Sequence, residues 1–150
     1  MKNNSNDLQQ ALNYAKRLLK FRARSKKELE ERLMQKGFLQ QIVQSTVEEL
    51  EKSGLINDEK FAYLFAYDML TVQGYGPYRI KAKLKQLGVP EEFIDDALDK
   101  VLREVDLESL VKRIVQLHKV DRGELREFLY RRGFSSEYTQ ALDIEGGADE

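Results

Sequence analysis

The chain has no cysteine and no tryptophan, and only one histidine and two prolines, among its 150 residues. Without cysteine there is no disulfide scaffold, no thiolate metal site and no cysteine nucleophile, a composition that fits a reducing cytoplasm. His118, the only histidine, lies in a polar segment between helical patterns and reads as a solvated surface residue. One histidine gives little basis for a Ser/His/Asp arrangement. No apolar run approaches the roughly 20 residues of a membrane span. The polar opening Met1-Lys2-Asn3-Asn4-Ser5-Asn6 lacks the apolar centre of a signal peptide. Strand signals are missing too, since no alternating β-branched run stands between turn residues. The expectation is a soluble, cytoplasmic, all-α protein that makes no membrane contact.

An excess of charge of one sign is also absent. Lys and Arg number 25 against 26 Asp and Glu, which argues against a protein that works by neutralising nucleic acid in bulk. The charges are nevertheless segregated. Between Lys16 and Lys36 nine basic residues face three acidic ones, and Arg79, Lys81, Lys83 and Lys85 form a stretch without acid. Acid gathers at Glu91, Glu92, Asp95, Asp96 and Asp99, and at the end in Glu145, Asp149 and Glu150.

What is present is a pattern stated three times. Gly37-Phe38, Gly88-Val89 and Gly133-Phe134 mark matching points, 51 and 45 residues apart. Four residues before each glycine stand Leu33, Leu84 and Leu129; eight before stand Leu29, Ile80 and Leu125; twelve before stand Ser25, Gly76 and Asp121. Farther upstream, Leu19, Leu70 and Val115 correspond, as do Ala15, Ala66 and Val111. Internal repetition of this kind predicts an array of one supersecondary unit, each too small to bury a strong core alone and therefore leaning on its neighbour.

Within each unit the apolar spacing is helical. Leu8, Ala11, Leu12, Ala15, Leu18 and Leu19 form one stripe. Ser25-Lys26-Lys27-Glu28 reads as a capping box opening a second helix whose inner face is Leu29, Leu33 and Met34, stopped by Gly37. Ile42, Val43, Thr46, Val47 and Leu50 face inward on a third. The second unit repeats the plan from an Asn57 cap, with Gly76-Pro77 opening its middle helix. In the third, Asp121-Arg122-Gly123-Glu124 reads as another cap, and a last short helix is expected from Ser135 through Ala141-Leu142. The predicted fold is all-α: three tandem three-helix, helix-turn-helix-like repeats over 8–54, 55–105 and 106–143 in an elongated, curved array. Residues 1–7 and the acidic tail 144–150 are expected to be disordered.

Chemistry for catalysis is sparse. Glu91-Glu92 and Asp95-Asp96 read as a solvated helix face rather than an acid/base pair. Gly74-Tyr75-Gly76-Pro77 lacks the third glycine, the lysine and the preceding strand of a phosphate-binding loop. No metal-ligand spacing appears. The expectation is no enzyme, no metal and no cofactor. Binding has more support, because the middle helix of every unit is basic. The candidate residues are Arg22, Arg24, Lys26 and Lys27 in the first unit, Arg79, Lys81, Lys83 and Lys85 in the second, and Arg126, Arg131 and Arg132 in the third. Of the nearby aromatics, Phe21 is expected to be buried, while Tyr75, Tyr78 and Tyr130 could stack on bases or seal helix ends.

The stretches Ala11-Leu12-Asn13-Tyr14-Ala15, Ser25-Lys26-Lys27-Glu28-Leu29, Lys36-Gly37-Phe38, Gly54-Leu55-Ile56-Asn57-Asp58-Glu59-Lys60-Phe61-Ala62, Gly74-Tyr75-Gly76-Pro77-Tyr78-Arg79-Ile80 and Phe128-Leu129-Tyr130-Arg131-Arg132-Gly133-Phe134-Ser135, in this order, resemble the RecX family of bacterial regulators of the RecA recombinase. The resemblance covers about residues 8 to 143. It implies three tandem three-helix repeats and a protein, expected to be monomeric, that binds RecA, especially its filament on single- or double-stranded DNA. It also implies restraint of filament growth, ATP hydrolysis and strand exchange, with an elongated molecule lying in the filament groove. The basic candidates would then touch DNA phosphate or acidic RecA surface, with direct DNA binding the weaker contact in so neutral a chain. The rivals are an independent helix-turn-helix reader of DNA sequence and a helical-repeat scaffold for another protein. If the aligned leucines are core, Leu33→Ala and Leu84→Ala should each cost about 2–5 kcal/mol; melting shifts near zero for both would strip the alignment of structural meaning.

Overall fold

The computed structural model describes residues 4–138. The helix expected to run on to Ala141-Leu142 and the acidic tail lie outside the described residues beyond Tyr138. Among those described, the chain forms eight α-helices and one 3-10 turn, with no strand. They are α1 (Asn4–Phe21), α2 (Lys26–Lys36), α3 (Gln40–Lys52), α4 (Asp58–Thr71), α5 (Pro77–Gln86), α6 (Glu91–Glu104), α7 (Leu107–Leu117), the 3-10 turn Arg122–Glu124, and α8 (Leu125–Arg131). Helix α1 begins at Asn4, ahead of the apolar stripe, with Asp7 in its first turn where the helix dipole favours negative charge.

The middle helices α2, α5 and α8 stop by one mechanism. Gly37, Gly88 and Gly133 have φ of 104°, 80° and 96°, a left-handed conformation that glycine adopts without strain. The residue after each glycine donates its N–H back to the aligned leucine: Phe38 to Leu33 O at 3.2 Å, Val89 to Leu84 O at 3.1 Å, Phe134 to Leu129 O at 2.9 Å. This is a Schellman closure, and it brings the apolar residue beyond the glycine onto the last turn. Leu33, Leu84, Leu129, Val89 and Phe134 are all buried. The repeated Leu-x-x-x-Gly-apolar pattern is therefore a repeated helix stop with its own hydrophobic plug.

Helix starts vary more. Ser25 forms the full capping box, its Oγ accepting from Glu28 N and the Glu28 carboxylate accepting from Ser25 N. Asn57 caps α4 through its side chain. Asp121 makes no side-chain cap; Glu124 N donates to Asp121 O at 2.9 Å, and Arg122-Gly123-Glu124 is a 3-10 turn from which α8 starts only at Leu125. The glycine inside that turn is a poor helix former, so the alignment with Ser25 marks a chain reversal there rather than a cap.

Two core predictions fail for geometric reasons. Met34 is 54% exposed because it follows Leu33 by one residue, about 100° around the helix from the packed seam. Phe21 is 86% exposed as the last residue of α1, where no element covers the helix end.

Among the described residues the buried apolar side chains form two clusters rather than three. One is built by α1–α3 and Ile56, the other by α4–α8 with Val89 and Phe134. The second and third units thus share one core, and the first unit has its own.

Between units the same joint recurs. Ser25 Oγ donates to Leu87 O at 2.6 Å, setting the start of α2 against the end of α5. Gly76 N donates to Arg132 O at 2.6 Å and Tyr78 N to Gly133 O at 3.0 Å, setting the start of α5 against the end of α8. Ser25 and Gly76 are aligned positions, and so are Leu87 and Arg132. The approach is close. A Cβ on Gly88 would run into the Lys27 side chain, and one on Gly133 would lie 2.5 Å from Arg79 N. Around Gly37 nothing lies within 4 Å among the described residues, which set no other unit against the end of α2. Gly37→Ala is expected to cost about 1–2 kcal/mol, the left-handed penalty alone, and Gly88→Ala and Gly133→Ala clearly more. Equal losses at all three in urea unfolding would contradict a joint built on close approach.

Candidate binding surface

The basic series is distributed by the joints and by the acids of neighbouring helices. In the first unit Arg22 pairs with Glu28 at 2.6 Å. Arg24 is half-buried and donates through Nε to Leu18 O at 3.4 Å; burial, with Arg22 nearby, lowers its pKa. Lys26 Nζ lies 3.2 Å from Glu51, which holds its pKa up, and its backbone N–H donates to Asp58 Oδ1 at 2.9 Å. Burial raises the Asp58 carboxyl despite that bond. Lys27 is exposed, with Glu31 at 4.0 Å.

In the second unit the acidic start of α6 sits beside the basic face of α5. Lys81 reaches Asp95 at 3.3 Å and Glu91 at 3.5 Å, and Lys85 reaches Glu91 at 3.8 Å. The hydrogen bond to Asp95 raises the Lys81 pKa. Exposed pairs of this kind contribute little stability; their effect is to mask charge. Lys83, on the other face, is exposed and has no acidic partner among the described residues.

In the third unit Arg132 belongs to the joint. Its guanidinium donates to Gly74 O at 2.9 Å and Gln73 O at 2.8 Å, and lies over the Tyr75 and Phe128 rings at 4.9 and 5.3 Å. Arg79 covers Tyr75 at 4.1 Å and donates to Arg131 O at 3.2 Å. Tyr75, open in the sequence, thereby carries two guanidinium groups over its ring. Arg131 pairs with Glu127 at 2.6 Å, while Arg126 is exposed without an acidic partner among the described residues.

The second joint also carries exposed aromatics. Tyr78 and Tyr130, 69% and 77% exposed, line a cavity of about 690 Å³ together with Arg79, Arg131, Ser135 and Ser136. Exposed tyrosine beside arginine is the composition of binding hot spots. Lys16, Arg17, Lys20 and Lys36, outside the sequence-derived candidates, also have no carboxylate within ion-pair distance among the described residues. The signal was available: Lys16 and Lys20 are four apart, Arg17 and Lys20 three, so α1 carries them on one side. Among the described residues no group of three or more His, Asp or Glu could hold a metal ion, and no helix is long and apolar enough to cross a membrane.

Comparison with known proteins matches this arrangement. Residues 11–50 match the family model described as RecX, first three-helix domain, and residues 57–98 that described as RecX, second three-helix domain. A protein named regulatory protein RecX from Thermotoga maritima is 45% identical over 140 residues, covering 92% of this chain and 86% of that one. One of the same name from Amycolatopsis mediterranei is 34% identical over 125 residues, covering 78% and 71%. The crystal structure of RecX from Lactobacillus salivarius superposes with a TM-score of 0.77 at 23% identity, covering 94% of this chain and 97% of that one.

Glu28 links this surface to stability. Burial raises its carboxyl, but hydrogen bonds from Arg22 and from Ser25 N–H outweigh burial and hold its pKa below the ordinary value. A carboxylate depressed in the folded state contributes stability above its unfolded pKa and loses it as pH falls through the folded value. Glu28→Gln is therefore expected to lower the melting temperature at pH 7, with a deficit that shrinks progressively as pH falls below the ordinary glutamate value of about 4.3. A deficit that stays constant with pH would exclude the charge as its origin.

Proposed function

The chain belongs to the RecX family, and from that premise we propose that it binds the RecA recombinase, above all as the RecA filament on DNA, and restrains filament growth, ATP hydrolysis and strand exchange in recombination and repair. The related proteins are regulatory by name. The proposed action is by binding alone, from a monomer in the cytoplasm, without a catalytic centre or cofactor. The observation that carries this reading is the recurring joint. Start-to-end contacts of α2 on α5 and of α5 on α8 present three similar units in succession, a form suited to a partner that is itself a repeating assembly. Lys83, Arg126 and the exposed Tyr78 and Tyr130 are the side chains offered to it.

The rival helix-turn-helix reading fits less well. Such proteins contact base edges with the N-terminal residues of the recognition helix. In α2 and α5 those starts are occupied by the joints, with Ser25 and Gly76 buried. The expected outcome is that the chain, added in amounts stoichiometric with RecA, lowers RecA's hydrolysis of ATP on single-stranded DNA. Unchanged hydrolysis would sink the proposal. An enriched sequence in selection from random duplexes would favour the rival.

A further inference from the structure

Away from the repeated series, α1 and the end of α2 enclose a groove of about 660 Å³. Tyr14 and Phe38 line it, their ring centroids 6.4 Å apart. Two cations lie over the Tyr14 ring, Lys36 Nζ at 5.4 Å and the Arg17 guanidinium at 5.9 Å from its centroid. Lys16 and Lys20 line the same groove, and among the described residues no carboxylate does. The contrast with the rest of the molecule is physical. Lys81, Lys85, Arg22 and Arg131 each stand within 4.0 Å of an acid, whereas here four cations share one concavity and reinforce each other's field. Among the described residues nothing lies within 4 Å of a Cβ placed on Gly37, beside the groove, whereas Gly88 and Gly133 are closely approached.

We infer that this groove binds single-stranded nucleic acid, with Lys16, Arg17, Lys20 and Lys36 on the phosphates and the Tyr14 and Phe38 rings beside a base or sugar. The inference deepens the proposed function by placing its DNA contact on the first unit, and it rests on the DNA half of that reading. Charge complementarity selects a polyanion. Aromatic rings set among the cations select nucleic acid over an acidic peptide, because every base offers a π-face to an aromatic ring. A cavity of this size lies within the range that encloses small ligands. A single strand leaves base faces free to meet the two rings, whereas a duplex keeps them stacked inside.

The test is fluorescence anisotropy of a short labelled oligothymidylate with the full chain across a salt series. For single strands the log–log slope of affinity against salt is about −0.7 per neutralised phosphate. Combining Lys16→Gln, Arg17→Gln, Lys20→Gln and Lys36→Gln is expected to weaken binding at low salt by about tenfold or more and to flatten the slope by about 3. Lys81→Gln with Lys85→Gln, whose charges already face acids, is expected to change little. Should the fourfold variant melt early, the exposed single changes Lys16→Gln and Lys20→Gln carry the test, each flattening the slope by about 0.7. Wild-type affinity and slope in a folded fourfold variant would overturn the inference. So would displacement of the oligothymidylate by polyglutamate as readily as by unlabelled strand. A chain that inhibits RecA's ATPase but binds no oligothymidylate overturns the groove and leaves the proposed function standing. Binding through the groove with the ATPase untouched does the reverse.

Discussion

The last turn of an α-helix leaves carbonyl groups without donors, and the first turn leaves N–H groups without acceptors. In this chain the carbonyl deficit is met across units, by a side-chain hydroxyl at one joint and by helix-start N–H groups at the other. The end of α5 offers Leu87 O to the Ser25 hydroxyl at the start of α2, and the end of α8 offers Arg132 O and Gly133 O to Gly76 N and Tyr78 N at the start of α5. Helix termini of opposite partial charge are thereby brought together. Because the acceptor is a backbone carbonyl in both joints, the contact can recur with different donors, a serine hydroxyl in one joint and backbone N–H groups in the other. It demands only that the receiving helix end in a glycine small enough to be approached, which is why Gly88 and Gly133 do two jobs and Gly37 does one.

The two joints are nevertheless unequal. The second is backed by one apolar core that runs from Phe61 to Phe134, whereas the first separates two cores and is held by polar contacts: Ser25 to Leu87, and the Lys26 N–H to Asp58. The difference also sorts the charges. Arg132 and Arg79 are committed to the second joint by carbonyl and ring contacts, and Lys26 to acids around the first. Lys81 and Lys85 are masked by the start of α6. Among the described residues the unmasked cations stand at the two ends of the array and on the outer face of α5. A chain with nearly balanced charge thus presents positive surface in particular places without being basic overall.

Features encoded within one turn of helix were legible in the sequence. The Ser25 capping box, the Asn57 cap, the three glycine stops and the leucines four residues ahead of them all depend on neighbours along the chain, so spacing alone revealed them. Met34 and Phe21 were misread because an apolar residue has no preference for burial until another element is there to cover it. Asp121 was misread because a capping residue type twelve positions before a glycine does not ensure helical backbone after it, and Gly123 did not supply it. The basic series was legible as composition but not as surface. Nothing in the local sequence of Lys81 announces that Asp95, fourteen residues later, will neutralise it. Nor does anything around Arg132 announce that it will be fastened to the Gln73 and Gly74 carbonyls, just past the end of α4 in the preceding unit.

The sequence by itself determined the all-α class, the threefold unit, the helix stops and the family, because each is written in residue types at short, repeated spacings. Only the tertiary structure decided how the units join, that two of them share a core while the first stands on its own, and which cations stay free. Those outcomes depend on backbone groups and side chains that are tens of residues apart in the chain and meet only once the helices are packed.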